Sequence, residues 1–170
     1  MKIFITADHH FNHKNIIEYC KRPFKTVEEM NETMIERWNR RVGKDDLVIH
    51  LGDFGLGNKE KINEIRKRLN GTIILIKGNH DRVIKDFIVV RDSIQIGNLL
   101  FSHRPTPKRE IPKGCINIHG HIHEKDSFNG INVSVEKTNY EPILLDEIEN
   151  EINDKLKMKK DKMEEMNDLI

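Results

Sequence analysis

The chain has few cysteines and no long apolar run, and each shortage narrows the kind of protein it can be. Its two cysteines, Cys20 and Cys115, do not form a Cys-x-x-Cys pair, and a reduced, intracellular protein is the simplest account of them. No apolar run approaches the roughly 18 residues of a membrane span. Residues 1–5 lead at once into acidic and histidine residues, which is unlike a signal peptide. We therefore expect a soluble, cytoplasmic protein without a membrane partner.

An excess of one charge is also missing. Lys and Arg number 29 against 28 Asp and Glu, a net charge of +1, so the chain has no global attraction to nucleic acid or membrane. Its 170 residues are enough to bury a core without disulfides or a structural metal. We predict a single domain over residues 1–170, with residues 146–170 as a C-terminal helical extension. Histidine is the residue that stands out, since all nine histidines lie between His9 and His123.

Strands and helices alternate in the first half of the chain. Apolar runs predict strands over residues 2–7, 47–51 and 72–76. Helices are predicted from Thr26, which opens a capping box, to about Val42, and from Lys59 to about Leu69 behind Asn58 as N-cap. This β-α-β-α-β order implies parallel strands.

The second half is predicted to be mostly β. Short strand candidates lie at residues 87–90, 93–96, 99–102, 116–119, 131–135 and 142–145, and Gly97-Asn98 is a candidate hairpin turn. We expect the two halves to pack sheet on sheet with helices outside, an α/β fold with α+β character. From Asp146 a charged helix follows, with a rough apolar stripe. That helix can dock on the domain or pair two copies into a homodimer. The stripe consists of Ile148, Ile152, Leu156, Met163, Met166 and Ile170.

Residues able to bind metal follow five of the predicted strands. Ligands of α/β sheets lie at the carboxyl ends of strands, so these residues are expected to share one site. In an extended chain, side chains two residues apart point to the same side. Asp8 with His10, and His121 with His123, are therefore each expected to face the site together. The full set is Asp8, His10, Asp53, Asn79, His103, His121 and His123, with His80 beside them.

The chemistry of this set favours two metal ions. Imidazole, carboxylate and amide oxygen without thiolate suit Mn, Fe, Zn or Co and argue against a structural zinc finger. Seven ligands are too many for one tetrahedral ion and suit two ions that share a carboxylate. Two ions roughly 3.5–4 Å apart can clamp the attacking and leaving oxygens of a displacement and acidify a bridging water.

The same motifs resemble a known family. The series Asp8-x-His10, Gly52-Asp53, Gly78-Asn79-His80-Asp81, His103 and Gly120-His121-x-His123 resembles the calcineurin-like metallophosphoesterases, and most closely their small single-domain bacterial, archaeal and phage members. The resemblance spans about residues 1–145. It implies the metallo-dependent phosphatase fold, a four-layer α-β-β-α sandwich. It also implies two divalent ions, drawn from Mn, Fe, Zn, Ni or Co with Mn preferred.

The resemblance further implies a role for each residue. One ion would be held by Asp8, His10, Asp53 and His123, and the other by Asp53, Asn79, His103 and His121, with Asp53 as the bridge. His80 would be the histidine that is not a ligand and would protonate the leaving oxygen. Asp81 would help to orient His80.

A dinuclear phosphoesterase follows from these roles. Phosphoester hydrolysis needs a nucleophile, charge neutralisation and a proton for the leaving group, which a metal-bridging hydroxide, the two ions and His80 would supply. The resemblance favours a phosphodiester over a monoester. The expected substrate is a small nucleotide-like phosphoester or a nucleic-acid end.

Three further residues are candidates for substrate binding. His13 and Asn12 follow the first ligand pair closely enough to reach the pocket rim, and Arg104 follows His103 and could bind a phosphate through two hydrogen bonds. A surface or loop-fixing role is the alternative for each. At the level of the whole protein, the alternative is a catalytically silent scaffold of the same fold that binds partner proteins. The intact ligand set and His80 argue against a scaffold.

Overall fold

The computed structural model describes residues 1–81 and 86–167, and their side chains apart from residues 155, 156 and 159–167. Within the apolar stripe predicted for the terminal helix, Ile148 and Ile152 can therefore be placed. The side chains of Leu156, Met163 and Met166, and the whole of Ile170, lie outside the described residues.

The first sheet contains the strands that alternate with helices. β1 (Ile3–Thr6), β2 (Leu47–His50), β3 (Thr72–Ile76) and β4 (Ile88–Val90) are parallel neighbours. The short strand β9 (Ile143–Leu144) pairs antiparallel with β1 and completes the order β4-β3-β2-β1-β9. The parallel arrangement predicted for the first half is therefore confirmed.

The second sheet contains β5 (Ser93–Ile96), β6 (Leu99–Ser102), β7 (Ile116–His119) and β8 (Gly130–Asn132) in that spatial order. Ile96 pairs with Leu99 across the predicted Gly97-Asn98 turn, whereas β6, β7 and β8 are parallel. The strand predicted over residues 131–135 ends early, because Ser134 leaves this sheet and forms a bridge with Ala7.

In the described residues, four α-helices flank the sheets: α1 (Ile16–Tyr19), α2 (Val27–Arg41), α3 (Lys59–Arg68) and α4 (Leu145–Asn167). The Thr26 hydroxyl accepts a hydrogen bond from the Glu29 N–H at 3.1 Å, so the predicted N-cap of α2 is present. The Glu29 carboxylate bonds back to the N–H of Lys25, one residue before the cap. Asn58 caps α3 through the Lys61 N–H. None of the described helices is long and apolar enough to cross a membrane.

Two apolar cores hold the layers together, and the strands of the first sheet divide their side chains between them. Phe4 and Val48 face the core shared with α1, α2 and α3, whereas Ile5 and Ile49 face the core between the sheets. This alternation follows from the two-residue repeat of a strand. Ile148 and Ile152 of α4 join the inter-sheet core, beside β9 and β1. The predicted class, mixed α/β with two packed sheets flanked by helices, is confirmed.

Candidate metal centre

The predicted ligands all lie in loops that follow strands. Because β1, β2 and β3 are parallel, and β6 and β7 are parallel, the loops after them leave each sheet at the carboxyl ends of the strands. The loop after β1 contains Asp8 and His10, that after β2 Asp53, that after β3 Asn79 and His80, that after β6 His103, and that after β7 His121 and His123.

The backbone of these loops is not extended, contrary to the expectation for the two ligand pairs. Asp8 and His10 have φ angles of 60° and 51°, and His121 and His123 have φ angles of 71° and 52°. Asp53, at 54°, is also in the left-handed region. That conformation costs a residue with a side chain about 1–2 kcal/mol. The alternation argument for the two pairs is therefore wrong, and tight turns rather than a strand aim these side chains.

Asp8, His10 and His123 form the first group of ligands, with ligand atoms within 4.8 Å of one another. Asp8 is fully buried, and its Oδ2 accepts hydrogen bonds from the His121 N–H and the Ser134 hydroxyl, both at 2.7 Å. These bonds hold the carboxylate in place, and no described residue forms a hydrogen bond with Oδ1.

Asp53, His103 and His121 form the second group, with ligand atoms equally close together. The Nδ1 of His103 lies 2.7 Å from the carbonyl oxygen of Leu51. Because a carbonyl only accepts, the proton of this ring is on Nδ1 and the lone pair is on Nε2. A backbone carbonyl thus fixes His103 in the tautomer that binds metal through Nε2.

Asp53 lies between the two groups. Its Oδ2 is 3.5 Å from the Nε2 of His10 in one group and 3.5 Å from the Nε2 of His103 in the other. Its Oδ1 accepts a hydrogen bond from the His80 N–H at 2.9 Å. One carboxylate therefore has an oxygen within reach of both halves of the site.

Three buried atoms at this point have no hydrogen-bond partner among the described residues: Asp8 Oδ1, His10 Nε2 and His103 Nε2. A buried polar atom without a partner typically costs about 1–3 kcal/mol. Three such atoms in one small region, one carboxylate oxygen and two imidazole nitrogens, are the donor set that divalent metal ions prefer. The residues present therefore fit a metal centre.

Burial controls the protonation of these groups. It raises the pKa of Asp8 to about 6, against the opposing effect of His103 and His123. It lowers the pKa of His10 to about 2 and that of His121 to about 4, so both imidazoles are neutral and able to bind metal at physiological pH. His123 differs: burial is outweighed by hydrogen bonds to Cys20 and Glu136, and its pKa rises to about 10.

Asp81 lies behind the site rather than beside the His80 ring. Its Oδ2 accepts hydrogen bonds from the N–H groups of Asp53 and Gly78, both at 2.8 Å, and its Oδ1 accepts one from Phe54 at 2.7 Å. No contact among the described residues joins its carboxylate to the His80 ring. The predicted role in orienting that ring is replaced by another: Asp81 ties the Asp53 loop to the Gly78 loop.

Gly78 allows those two loops to approach each other. A Cβ placed on Gly78 would collide with both the Oδ1 and the backbone nitrogen of Asp53. The φ angle of Gly78 is not positive. Glycine is therefore needed here because the Asp53 loop comes so close, and not for its backbone freedom.

His80 forms part of the wall of an open cavity of about 490 Å³ in front of the ligands. Its ring is solvent-exposed, and the ring centroid is 5.5 Å from that of His10. Ile16, Tyr19 and Ile122 form an apolar part of the same wall. The volume suits a small organic ligand.

Asn79 and Arg104 are hydrogen-bonded to each other, although the sequence predicted a separate role for each. The Oδ1 of Asn79, predicted as a metal ligand, accepts hydrogen bonds from Arg104 Nε at 3.3 Å and Nη2 at 3.0 Å. Arg104 itself lines a neighbouring cavity with Lys77 and Arg91, and Asn79 lines both cavities. The guanidinium group therefore holds the amide oxygen at the edge of the site.

The remaining two substrate-binding candidates differ in position. His13 lines the cavity, with its Nδ1 3.4 Å from the Nδ1 of His10. Asn12 is not among the residues that line it: its Oδ1 accepts a hydrogen bond from Asn31 Nδ2 at 2.7 Å, and its N–H donates to Asn31 Oδ1. The structure thus places Asn12 in the loop-fixing role and not at the pocket rim.

Sequence reasoning missed the buried residues that hold His123. Glu136 Oε1 lies 3.1 Å from His123 Nδ1 and accepts two hydrogen bonds from Arg22, at 2.7 and 2.9 Å. Arg22 also donates to the carbonyl oxygens of Asp8 and His9. A carboxylate behind a metal-binding histidine fixes the ring and raises its basicity. Arg22 and Glu136 are 114 residues apart, and nothing in the sequence around either one indicates that they pair.

Comparison with known proteins gives a consistent result. The family model described as calcineurin-like phosphoesterase matches residues 1–165. An uncharacterized protein from Methanocaldococcus jannaschii is 40% identical over 156 residues, which are 85% of this chain and 88% of that protein. The gene 66 protein of Mycobacterium phage L5 is 37% identical over 87 residues, which are 46% of this chain and 39% of that protein.

A solved structure shares the fold. The crystal structure of a protein of unknown function from Aquifex aeolicus aligns with a TM-score of 0.70 and 26% identity, covering 88% of this chain and 98% of that one. The relatives from Methanocaldococcus jannaschii and Aquifex aeolicus are described as uncharacterized and of unknown function. They therefore identify no substrate.

Proposed function

The chain belongs to the calcineurin-like phosphoesterase family, and from that premise we propose that it is a dinuclear metal-dependent hydrolase of nucleotide-like phosphodiesters. The observation that carries the proposal is the position of Asp53 Oδ2, 3.5 Å from one imidazole of each ligand group. Two groups of ligands that share one carboxylate oxygen are suited to a pair of ions and not to one.

The protein's own residues supply the rest of the site. Asp8, His10 and His123 would hold one ion, His103, His121 and Asn79 the other, and Asp53 both. A pair of divalent ions bound there acidifies the attacking water and neutralises charge on the phosphoryl oxygens. We propose Mn for both positions on the strength of the family resemblance, and ligands that offer oxygen and imidazole nitrogen without thiolate are compatible with it.

His80 would deliver the proton that the leaving oxygen needs. Its backbone N–H is fixed by Asp53 Oδ1, while its ring lies exposed in the cavity wall, free to reach a bound ester. An imidazole can both carry and release a proton, which suits a general acid. His13, in the wall of the cavity, and Arg104, which holds Asn79 at its edge, would contact the phosphate or the group attached to it.

The cavity wall supports an organic ester as substrate. Ile16, Tyr19 and Ile122 are apolar and line the cavity together with His13, and the non-reacting group of a diester would lie against them. A nucleobase or a similar flat group would pack there. The proposed preference for a diester rests on the family. The proposal of a flat group rests on the apolar residues of this wall.

The variant His80→Ala tests the proposal. Metal-stripped protein is reloaded with Mn, and hydrolysis is compared for two diesters, one with a poor leaving group and one with a good leaving group. We expect His80→Ala to bind two Mn per chain and to lose about 10²–10⁴-fold in rate on the poor leaving group, and less on the good one.

Three outcomes would contradict all or part of the proposal. Wild-type rates on the poor leaving group would remove His80 from the proton-transfer step. A wild-type chain that binds two ions yet hydrolyses neither diester nor the matching monoesters would overturn the enzymatic function and favour a binding scaffold. Conversely, monoester turnover alone would move the substrate class from diesters to monoesters.

A further inference from the structure

A third cluster of metal-binding side chains lies beside the centre and shares one residue with it. Cys20, His123 and Glu136 each offer a ligand atom, and these atoms lie within 4.8 Å of one another. Cys20 lines the cavity in front of the ligands. We propose that Cys20, His123 and Glu136 form an inhibitory site for a thiophilic divalent cation such as Zn²⁺. A cation bound there takes His123 away from Asp8 and His10.

The end of α1 and a buried arginine fix the position of the thiol. The N–H of Cys20 donates to the carbonyl of Ile16 at 3.0 Å, which closes the last turn of α1. Lys21 then adopts a φ of 48° and turns the chain inward to Arg22, whose side chain is fully buried. Because Arg22 is bonded to the Asp8 and His9 carbonyls, the loop that presents Cys20 is tied to the metal centre itself.

One carboxylate oxygen of Glu136 accepts no hydrogen bond from the described residues around it. Its side chain is 3% exposed, and Oε1 is bonded to Arg22 and His123. Within the part of the chain that the structure describes, Oε2 is buried without a hydrogen-bond partner. A buried carboxylate oxygen in that state is costly, and a cation bound to it would remove the cost.

The ligand chemistry separates this cluster from the neighbouring centre. Thiolate favours Zn²⁺ over Mn²⁺, and three protein ligands plus one water form the four-coordinate arrangement that Zn²⁺ prefers. The thiol releases its proton to solvent as the thiolate–metal bond forms. Mn²⁺ would therefore occupy the oxygen and imidazole centre at concentrations that leave Cys20 free.

Competition for His123 makes the site inhibitory. The Nδ1 of His123 is held by Glu136 Oε1 at 3.1 Å, and this bond orients the ring towards its other partners, Asp8 and His10. A cation on Glu136 and Cys20 replaces that hydrogen bond and draws the ring to itself. The first ligand group then loses one of its three members.

Spectroscopy on the full-length chain tests the site without any need for turnover. Co²⁺ is titrated into metal-stripped wild type, Cys20→Ser and Cys115→Ser, and thiolate-to-cobalt charge-transfer absorption is followed in the near ultraviolet. Cys115 is the matched control, since it is half-buried like Cys20 but lies in the loop before β7, outside the cavity. We expect the band in wild type and Cys115→Ser and its loss in Cys20→Ser.

Zinc sensitivity supplies the second arm. With Mn²⁺ held constant, the Zn²⁺ concentration that halves each variant's own zinc-free rate should rise about tenfold in Cys20→Ser and stay unchanged in Cys115→Ser. Unfolding midpoints, together with Cys20→Ala as a second variant, ensure that a folded chain is measured. A band that persists in Cys20→Ser, or no band in wild type, overturns the site. Unchanged zinc sensitivity with the band lost overturns its inhibitory role. Neither result depends on which ester is the substrate.

Discussion

Removal of the Asp81 carboxylate should loosen the whole site, because this one side chain accepts three backbone N–H groups from two loops. In Asp81→Ala, the N–H groups of Asp53, Phe54 and Gly78 lose their partner. Asp81 is buried, so water cannot replace the carboxylate without a local opening of the structure.

The size of the effect follows from those three bonds. A buried N–H without a partner costs about 1–3 kcal/mol, which gives about 3–9 kcal/mol in total. The buried carboxylate also carries a desolvation cost, which Asp81→Ala removes. This cost raises the pKa of Asp81, although the hydrogen bonds from the backbone N–H groups oppose the rise. We therefore expect the low end, about 3 kcal/mol, which in a chain of this size lowers the unfolding temperature by about 6–12 °C.

Urea unfolding and Mn²⁺ calorimetry provide the measurement, with Asp45→Ala as the control at an exposed carboxylate. Asp45→Ala should change the free energy of unfolding by less than about 0.5 kcal/mol. Asp81→Ala should lose both stability and Mn²⁺ affinity, because the Asp53 loop is no longer held. If Asp81→Ala matched Asp45→Ala in stability and metal affinity but lost turnover, the carboxylate would act on His80 instead, and our reading of its hydrogen bonds would be refuted.

Three further predictions concern other parts of the molecule. Glu136→Gln leaves His123 unsupported by a carboxylate, so Mn²⁺ affinity by calorimetry should fall about 10–100-fold, and undiminished affinity would contradict the support. Burial lowers the pKa of His50 to about 3, so below pH 6.5 the unfolded chain binds a proton that the folded chain does not. His50 should thus account for about 2–3 kcal/mol of the stability that the metal-stripped chain loses between pH 6 and pH 4 in urea titrations, and His50→Gln should reduce the loss by that amount. We also propose that the part of α4 beyond Ile152 pairs two copies of the chain. A chain ending at Asn153 keeps Ile148 and Ile152 in the core, and its mass by light scattering should be half that of the full chain. An unchanged mass would contradict the dimer.

The strands and most helix ends could be predicted because their signals are local. The apolar runs that became β1, β2 and β3 are each bounded by polar turns, and the caps at Thr26 and Asn58 involve residues three apart. The strand ends also predicted where ligands emerge, since parallel strands place their carboxyl ends on one side. Local pattern was sufficient wherever the partner lay within a few residues.

The residues behind the ligands could not be predicted, since their partners are far away in sequence. Arg22 and Glu136 are 114 residues apart, and the Asp53 N–H bonds to Asp81, 28 residues on. A lone arginine or glutamate in a charged sequence gives no sign of being buried. The role of Asp81 was misassigned for the same reason: the resemblance implied that it orients His80, whereas its carboxylate accepts the N–H groups of Asp53, Phe54 and Gly78.

The left-handed turns explain why the ligands need the rest of the fold. Five of the seven predicted ligands have φ between 51° and 71°, a conformation that disfavours side chains by about 1–2 kcal/mol each. No isolated loop would hold that geometry. The loops hold one another instead: the Asp8 N–H bonds to the Gly52 carbonyl, the His10 N–H to the Asp53 carbonyl, and the His121 N–H to the Asp8 carboxylate. Each ligand loop is thus fixed by another ligand loop, so a change in one moves the ligands of both groups.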